Sequence, residues 1–273
     1  MSTPIDLDSY FRRIGYHGDR GATLATLRAL HLHHAMAIAY ENLNPLLRWP
    51  VRLDLASLEH KLIYEGRGGY CYEHNLLFMA VLQALGFRVT GLAARVLWNR
   101  PENLVTPRTH MVLLVHMGDA SYVSDVGFGG QTLTGPLGLE ADLEQVTPHE
   151  PYRLAKAGAD LALQARICGE WRSLCRFDLQ PQHEPDYELA NWYVSTHPES
   201  HFVTTLMAAR PTADRRYVLR DNELTVHHSS GVTERRTFTR ALDLRRVLEH
   251  DLGIRLPDTA DLETTLRRIV ARQ

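Results

Sequence analysis

Cys71 is placed to act as a nucleophile. It follows Arg67-Gly68-Gly69-Tyr70 and opens an apolar run that ends at Leu85, with Gly86 as a C-terminal stop. The glycine pair permits a tight backbone, and the run predicts a helix over 71–85. A cysteine in the first helical turn faces unpaired N–H groups and the positive end of the helix dipole. Both favour the thiolate, the form that attacks carbonyl carbon. Arg67 adds positive charge there or braces the loop. The competing reading of a lone cysteine is a small packing residue. Cys168 and Cys175 lie in or beside apolar strand-like runs and read that way. Glu73 and Asn75 read as groups that satisfy backbone donors in the first helical turn, and His74 as turned away from Cys71.

A thiol nucleophile needs a base, and the chain offers 15 histidines. His110 is selected by geometry. It begins a strand-like run, Thr109 to Met117, that meets a second run, Tyr122 to Val126, across a turn near Gly118-Asp119. If Met117 and Gly118 form a two-residue loop, Asp125 lies directly opposite His110. If Gly118 and Asp119 form it, the two are diagonal neighbours on one face. A carboxylate beside an imidazole fixes its tautomer and stabilises the imidazolium. The alternative is a cross-strand polar pair that decorates a sheet. His31 and His34 would share a helix face, but no carboxylate or cysteine nearby completes a ligand set, so no metal is expected. His116 reads as solvated near the turn, and His227-His228 as strand-end residues.

The elements that must hold these groups change type along the chain. Residues 8–14, Ala22 to Ile38 and Leu55 to Tyr64 carry apolar residues at helical spacing. Alternating, β-branched runs then take over at Val89 to Trp98, the two runs around His110 and Asp125, Tyr152 to Ala155, Leu161 to Ile167 and Leu174 to Leu179. Glu184 to Ser195 is helical again. Phe202 to Ala208, Arg216 to Leu219, Leu224 to His227 and Arg235 to Phe238 predict strands, and helices near Ala241 to Leu252 and Ala260 to Val270 close the chain. Helices, then sheet, then a mixture argue for an α+β fold rather than a doubly wound parallel sheet.

Composition narrows the function classes. The 30 basic and 32 acidic side chains leave a formal charge of −2, which gives no support for a nucleic-acid or anionic-membrane partner. No run reaches transmembrane length, and the opening, Met1 to Tyr16, lacks the basic start and apolar stretch of a signal peptide. Three cysteines, an odd and sparse set, suit a reducing cytoplasm.

With these residues in view, the chain resembles the arylamine N-acetyltransferases. The stretch Arg67 to Asn75 looks like that family's nucleophile motif, Arg108-Thr109-His110 its histidine segment, and Ser124 to Gly130 its aspartate segment. Ala39-Tyr40-Glu41-Asn42-Leu43 is similar to a motif that usually begins with proline and phenylalanine, and Asn191 to Phe202 also fits. The resemblance implies a helical bundle (residues 1–86) carrying the nucleophile, a β-barrel (87–190) carrying the histidine and aspartate, and an α/β lid (191–273). It implies a two-step exchange in which Cys71 takes an acetyl group from acetyl-CoA and passes it to an arylamine or hydrazine. His110 would shuttle protons and Asp125 would orient it. Acetyl-CoA would be a co-substrate, with no permanently bound cofactor. Tyr40, Phe128 and Phe202 would line the acceptor cleft, and Thr109, Gly129 and Gly130 would border the acyl donor. Tyr40 would favour more polar amines than phenylalanine does, and Ala39 in place of proline loosens the backbone.

Other functions would use the same residues. An amide synthase of this fold, closing a macrolactam, would carry an identical triad. A cysteine peptidase or transglutaminase-like enzyme also uses cysteine, histidine and aspartate. A binding module with a degenerate site is the non-enzymatic alternative.

Overall fold

The computed structural model describes residues 4–271. Residues 1–3 and 272–273, included in the expected first and third parts, lie outside the described residues. Five helical segments come first: α1 (Leu7–Ile14), α2 (Leu24–Ala37), α3 (Leu43–Leu46), α4 (Leu55–Leu58) and α5 (Cys71–Ala84). Their starts follow local chemistry. Asp6, Thr23 and Asp54 each accept a backbone N–H at the N-terminus of α1, α2 and α4. At α5 the Glu73 carboxylate accepts the Tyr70 N–H at 3.0 Å, and Gly86 beyond its end takes φ +87°.

Strand β1 (Tyr40–Glu41) precedes α3, and β2 (Arg88–Val96), β3 (Arg108–Met117), β4 (Ala120–Ser124), β5 (Leu137–Gly138), β6 (Tyr152–Ala157), β7 (Asp160–Ile167) and β8 (Glu170–Phe177) follow α5. Strands β2–β8 form a nearly closed antiparallel barrel in the order β5-β4-β3-β2-β8-β7-β6. Then come α6 (Glu184–Thr196), α7 (His201–Thr204), β9 (Met207–Pro211), β10 (Arg215–Arg220), β11 (Glu223–His228), β12 (Thr233–Thr237), α8 (Ala241–Arg246) and α9 (Ala260–Val270). The second sheet runs β1-β9-β10-β11-β12. The architecture is α+β.

Strand β3 is the hinge of the packing. Met111, Leu113 and Val115 join a core with Phe11, Leu27, Phe78 and Val81 of the helices. Val112 and Leu114 join the barrel interior with Leu92, Val123, Leu163 and Leu174. A strand covered on both faces loses polar alternation, which is why 111–115 reads as a continuous apolar run. A third core gathers Leu206, Leu219, Leu224, Leu248 and Leu266 under the second sheet, and it also takes in Leu43 and Leu46 from α3.

Several expectations are corrected. The runs Leu55 to Tyr64 and Ala241 to Leu252 begin as α4 and α8 but finish as π-helical turns, Glu59–Tyr64 and Val247–Asp251. Phe202 to Ala208 is not one strand. Ser200 accepts the Phe202 N–H at 3.3 Å and starts α7, and the strand begins only at Met207. Cys175 is buried, but Cys168 is exposed, in the β7–β8 turn at φ +51°. His116 is half-buried between the hydroxyls of Thr90 (3.0 Å) and Ser121 (3.2 Å) rather than solvated.

Candidate active site

The β3–β4 pairing aligns Met117 with Ala120 and Leu113 with Ser124. Gly118 and Asp119 are therefore the loop, and Asp125 is the diagonal neighbour of position 110. Strand β4 ends at Ser124, so the carboxylate stands just beyond the ladder and turns inward. His110 Nε2 and Asp125 Oδ2 lie 2.6 Å apart, and both side chains are buried, 3% and 0% exposed. With Nε2 committed to Asp125, Nδ1 is the ring nitrogen left for a proton exchange with sulfur.

Cys71 is buried at the first position of α5. Its Sγ lies 3.7 Å from the Thr109 carbonyl oxygen, the residue before the histidine. Burial alone disfavours a charged ring. The Asp125 charge and hydrogen bond, helped by the Cys71 sulfur, overcome it and push the His110 pKa up to about 10. Burial would raise the Asp125 pKa, but His110, Asn75 and the Gly127 N–H hold it below the usual carboxylate range. Asp125 therefore favours the protonated ring, the form His110 takes once it holds the Cys71 proton.

The loop before Cys71 has the tight path its glycines imply. A Cβ on Gly68 would sit 2.0 Å from the Ala39 carbonyl oxygen, and one on Gly69 would sit 2.8 Å from Glu73 Oε2. Of the two roles expected for Arg67, the structure supports bracing. Its buried guanidinium reaches Asn44 at 2.7 Å and Glu41 at 3.2 Å. Lys61 lies 2.6 Å from Glu73 and 3.7 Å from Glu41. This buried set of charges locks the loop to β1 and α5. Glu73 does serve a backbone donor, as expected.

Asn75 does not. Its Nδ2 donates to the Met111 carbonyl at 2.9 Å and to Asp125 Oδ1 at 3.0 Å, and its Oδ1 accepts the Val126 N–H at 3.1 Å. Asn75 thus carries the aspartate loop on the helix that carries Cys71. The signal was its position one turn beyond Cys71, on the same helix face. Gly127 was also overlooked. Its N–H donates to Asp125 Oδ1 at 2.9 Å, and a Cβ there would lie 2.9 Å from the Cys71 Cα. Only glycine lets the aspartate loop lie flat against the nucleophile.

The histidines of α2 are structural. His31 Nε2 accepts the Asp125 N–H at 3.4 Å, and burial holds its pKa down near about 3. His34 bonds Tyr10 at 2.9 Å and His74 at 3.0 Å, and His74 reaches the Ala39 carbonyl at 3.2 Å. Among the described residues, no group of three or more His, Cys, Asp and Glu side chains could hold a metal ion.

Phe128 stands edge-on to His110, ring centres 5.1 Å apart. The Tyr40 ring flanks Gly129, about which a Cβ would meet it at 3.5 Å. Its phenol pKa is raised by burial and then by the proximity of Cys71 and Asp125. Phe202 packs on Tyr70 at 5.2 Å, one residue from the sulfur. Gly129 adopts φ +87°, and Gly130 backs onto Val218 of β10, where a Cβ would lie 3.0 Å away.

A family model described as N-acetyltransferase matches residues 23–261. The arylamine N-acetyltransferase of Mycolicibacterium smegmatis is 46% identical over 267 residues, covering 96% of this chain and 97% of the relative. The structure of Mycobacterium marinum arylamine N-acetyltransferase superposes with a TM-score of 0.94 at 42% identity, covering 97% of this chain and 100% of that one. The same enzyme in complex with CoA gives 0.93 at 42% identity, with 97% and 99% coverage. With matches of this extent, the chain belongs to the arylamine N-acetyltransferase family.

Proposed function

We propose that the chain transfers an acetyl group from acetyl-CoA, through a thioester on Cys71, to the nitrogen of an arylamine or arylhydrazine. The observation that carries the residue roles is the buried 2.6 Å His110–Asp125 pair beside the first residue of α5. Cys71 gives its proton to His110 Nδ1 and attacks the acetyl carbonyl. The developing oxyanion is met by backbone N–H groups in the first turn of α5. The intermediate collapses, the CoA thiolate leaves, and His110 returns the proton to it. The acceptor nitrogen then attacks the thioester. His110 takes the nitrogen's proton, and the amide leaves with Cys71 restored. Dividing the exchange into two steps replaces one hard transfer by two easier ones.

Tyr40, Phe128 and Phe202 form the apolar side of the acceptor cleft on this reading. Thr109, Gly129 and Gly130 border the acyl donor, with the glycines permitting close approach of its thiol arm to the backbone. Residues 1–86 supply the nucleophile, 87–190 the base and its carboxylate, and 191–273 the cover. A cytoplasmic location belongs to the same reading; among the described residues no helix is long and apolar enough to cross a membrane. The test is release of CoA from acetyl-CoA on addition of an arylamine. Parallel-line initial-rate kinetics and their loss in Cys71→Ser support the relay, and turnover retained in Cys71→Ser refutes it.

A further inference from the structure

A cavity of about 500 Å³ lies apart from Cys71, His110 and Asp125, none of which lines it. It lies over a different face of α5, where Leu76, Met79, Ala80 and Gln83 recur at helical spacing. Leu55 and Val89 face them from α4 and β2. These apolar side chains are all half-buried. Tyr187 closes the floor, and its ring lies 5.9 Å from Tyr72, the neighbour of Cys71. The volume is within the range of small-molecule sites, which pair an apolar body with a few polar groups.

The rim is one-sided in charge. Asp54 and Glu184 stand on it beside His183, and among the described residues no lysine or arginine lines the cavity. Asp54 already accepts a hydrogen bond from the Ser57 N–H at 3.0 Å, and Glu184 is an exposed residue of the first turn of α6. We propose that this cavity binds a small hydrophobic ammonium ion, an alkyl or arylalkyl amine protonated at neutral pH, with its apolar body on α5 and its charge toward Asp54 and Glu184. The site is separate from the acetyl-transfer cleft and does not depend on the residue roles proposed there.

The test uses protein labelled at the methionine methyls and three probes of one shape: 4-phenylbutylamine, 4-phenylbutan-1-ol and 4-phenylbutyrate. The Met79 methyl resonance shifts saturably with the amine and much less with the carboxylate. Asp54→Asn with Glu184→Gln keeps the shape and the helix cap. It weakens the amine about fivefold, as expected for two exposed ion pairs, and leaves the alcohol unchanged. Ala80→Trp fills the cavity and abolishes the shift, while both variants acylate Cys71 at the parental rate. Should Ala80→Trp fail to fold, the charge-neutral double variant carries the decision. The proposal is overturned if Met79 does not respond to the amine at millimolar concentration, or if amine and carboxylate bind equally.

Discussion

Asp125→Asn is the most discriminating single substitution, because each carboxylate oxygen has a fixed partner. Oδ2 faces His110 Nε2 at 2.6 Å, and Oδ1 accepts from Asn75 Nδ2 at 3.0 Å and the Gly127 N–H at 2.9 Å. An amide cannot satisfy both sides. With its oxygen toward Asn75 and Gly127, its NH2 donates to Nε2 and forces the ring proton onto Nδ1, the nitrogen that must accept from Cys71. With its oxygen toward His110, its NH2 faces two donors. The ring also loses the charge that raises its pKa to about 10, and burial then pulls it below its ordinary value. The equivalent change in a serine triad costs about 10⁴ in kcat, roughly 5.5 kcal/mol of activation free energy. Single-turnover acylation by acetyl-CoA measures the loss directly, and histidine ring NMR follows the protonation. A folded Asp125→Asn protein that acylates within tenfold of the parent would refute the orienting role. So would a His110 ring that still titrates near pH 10.

Three further outcomes follow from the same contacts. Asn75→Ala removes a hydrogen bond to a charged carboxylate, worth about 2 kcal/mol, so single-turnover acylation should fall about 30-fold while thermal unfolding shows a native-like fold. Gly68→Ala places a methyl 2.0 Å from the Ala39 carbonyl oxygen. The loop must shift, and overpacking of about 1–3 kcal/mol lowers the melting temperature, with an unchanged melting temperature counting against the close approach. Tyr40→Phe should change the turnover ratio of hydroxylated to plain anilines, and an unaltered ratio would remove the phenol from the acceptor wall.

The buried pair also sets a pH signature. The His110 pKa is raised from 6.5 to about 10 in the fold. Its contribution is complete below about 6.5 and is lost as pH rises through about 10. The Asp125 pKa is lowered from 3.8, so its contribution is present above that value and is lost as pH falls below it. The stability gap between the parent and His110→Gln, read by thermal unfolding, should therefore narrow from pH 6.5 to pH 10. A gap that widens would reverse the sign of the account.

Much of the site was legible because its parts obey local rules. A glycine pair before a helix marks the Cys71 turn, and a short hairpin places His110 and Asp125 on one face whichever two-residue loop is used. The register itself, with Gly118 and Asp119 in the loop, needed the coordinates. Asn75 was misread because its local role, capping a helix, is the commoner one, and its partners lie 36 to 51 residues away. Gly127 looked like one of three glycines after Asp125, and nothing local tells which of them must pass the Cys71 backbone. The α7 turn at Phe202 was lost to an apolar run that carries no helical period over four residues. The π-helical turns after α4 and α8 left no signal distinct from an ordinary helix.

The central claim is that one sulfur carries the acetyl group between donor and acceptor. Intact mass spectrometry with peptide mapping, after mixing with acetyl-CoA alone, tests it most directly. The account predicts a gain of one acetyl group located on Cys71, discharged on addition of an arylamine or hydrazine with formation of its amide. An unmodified protein that still acetylates the amine, or an acetyl group on any other residue, would contradict it.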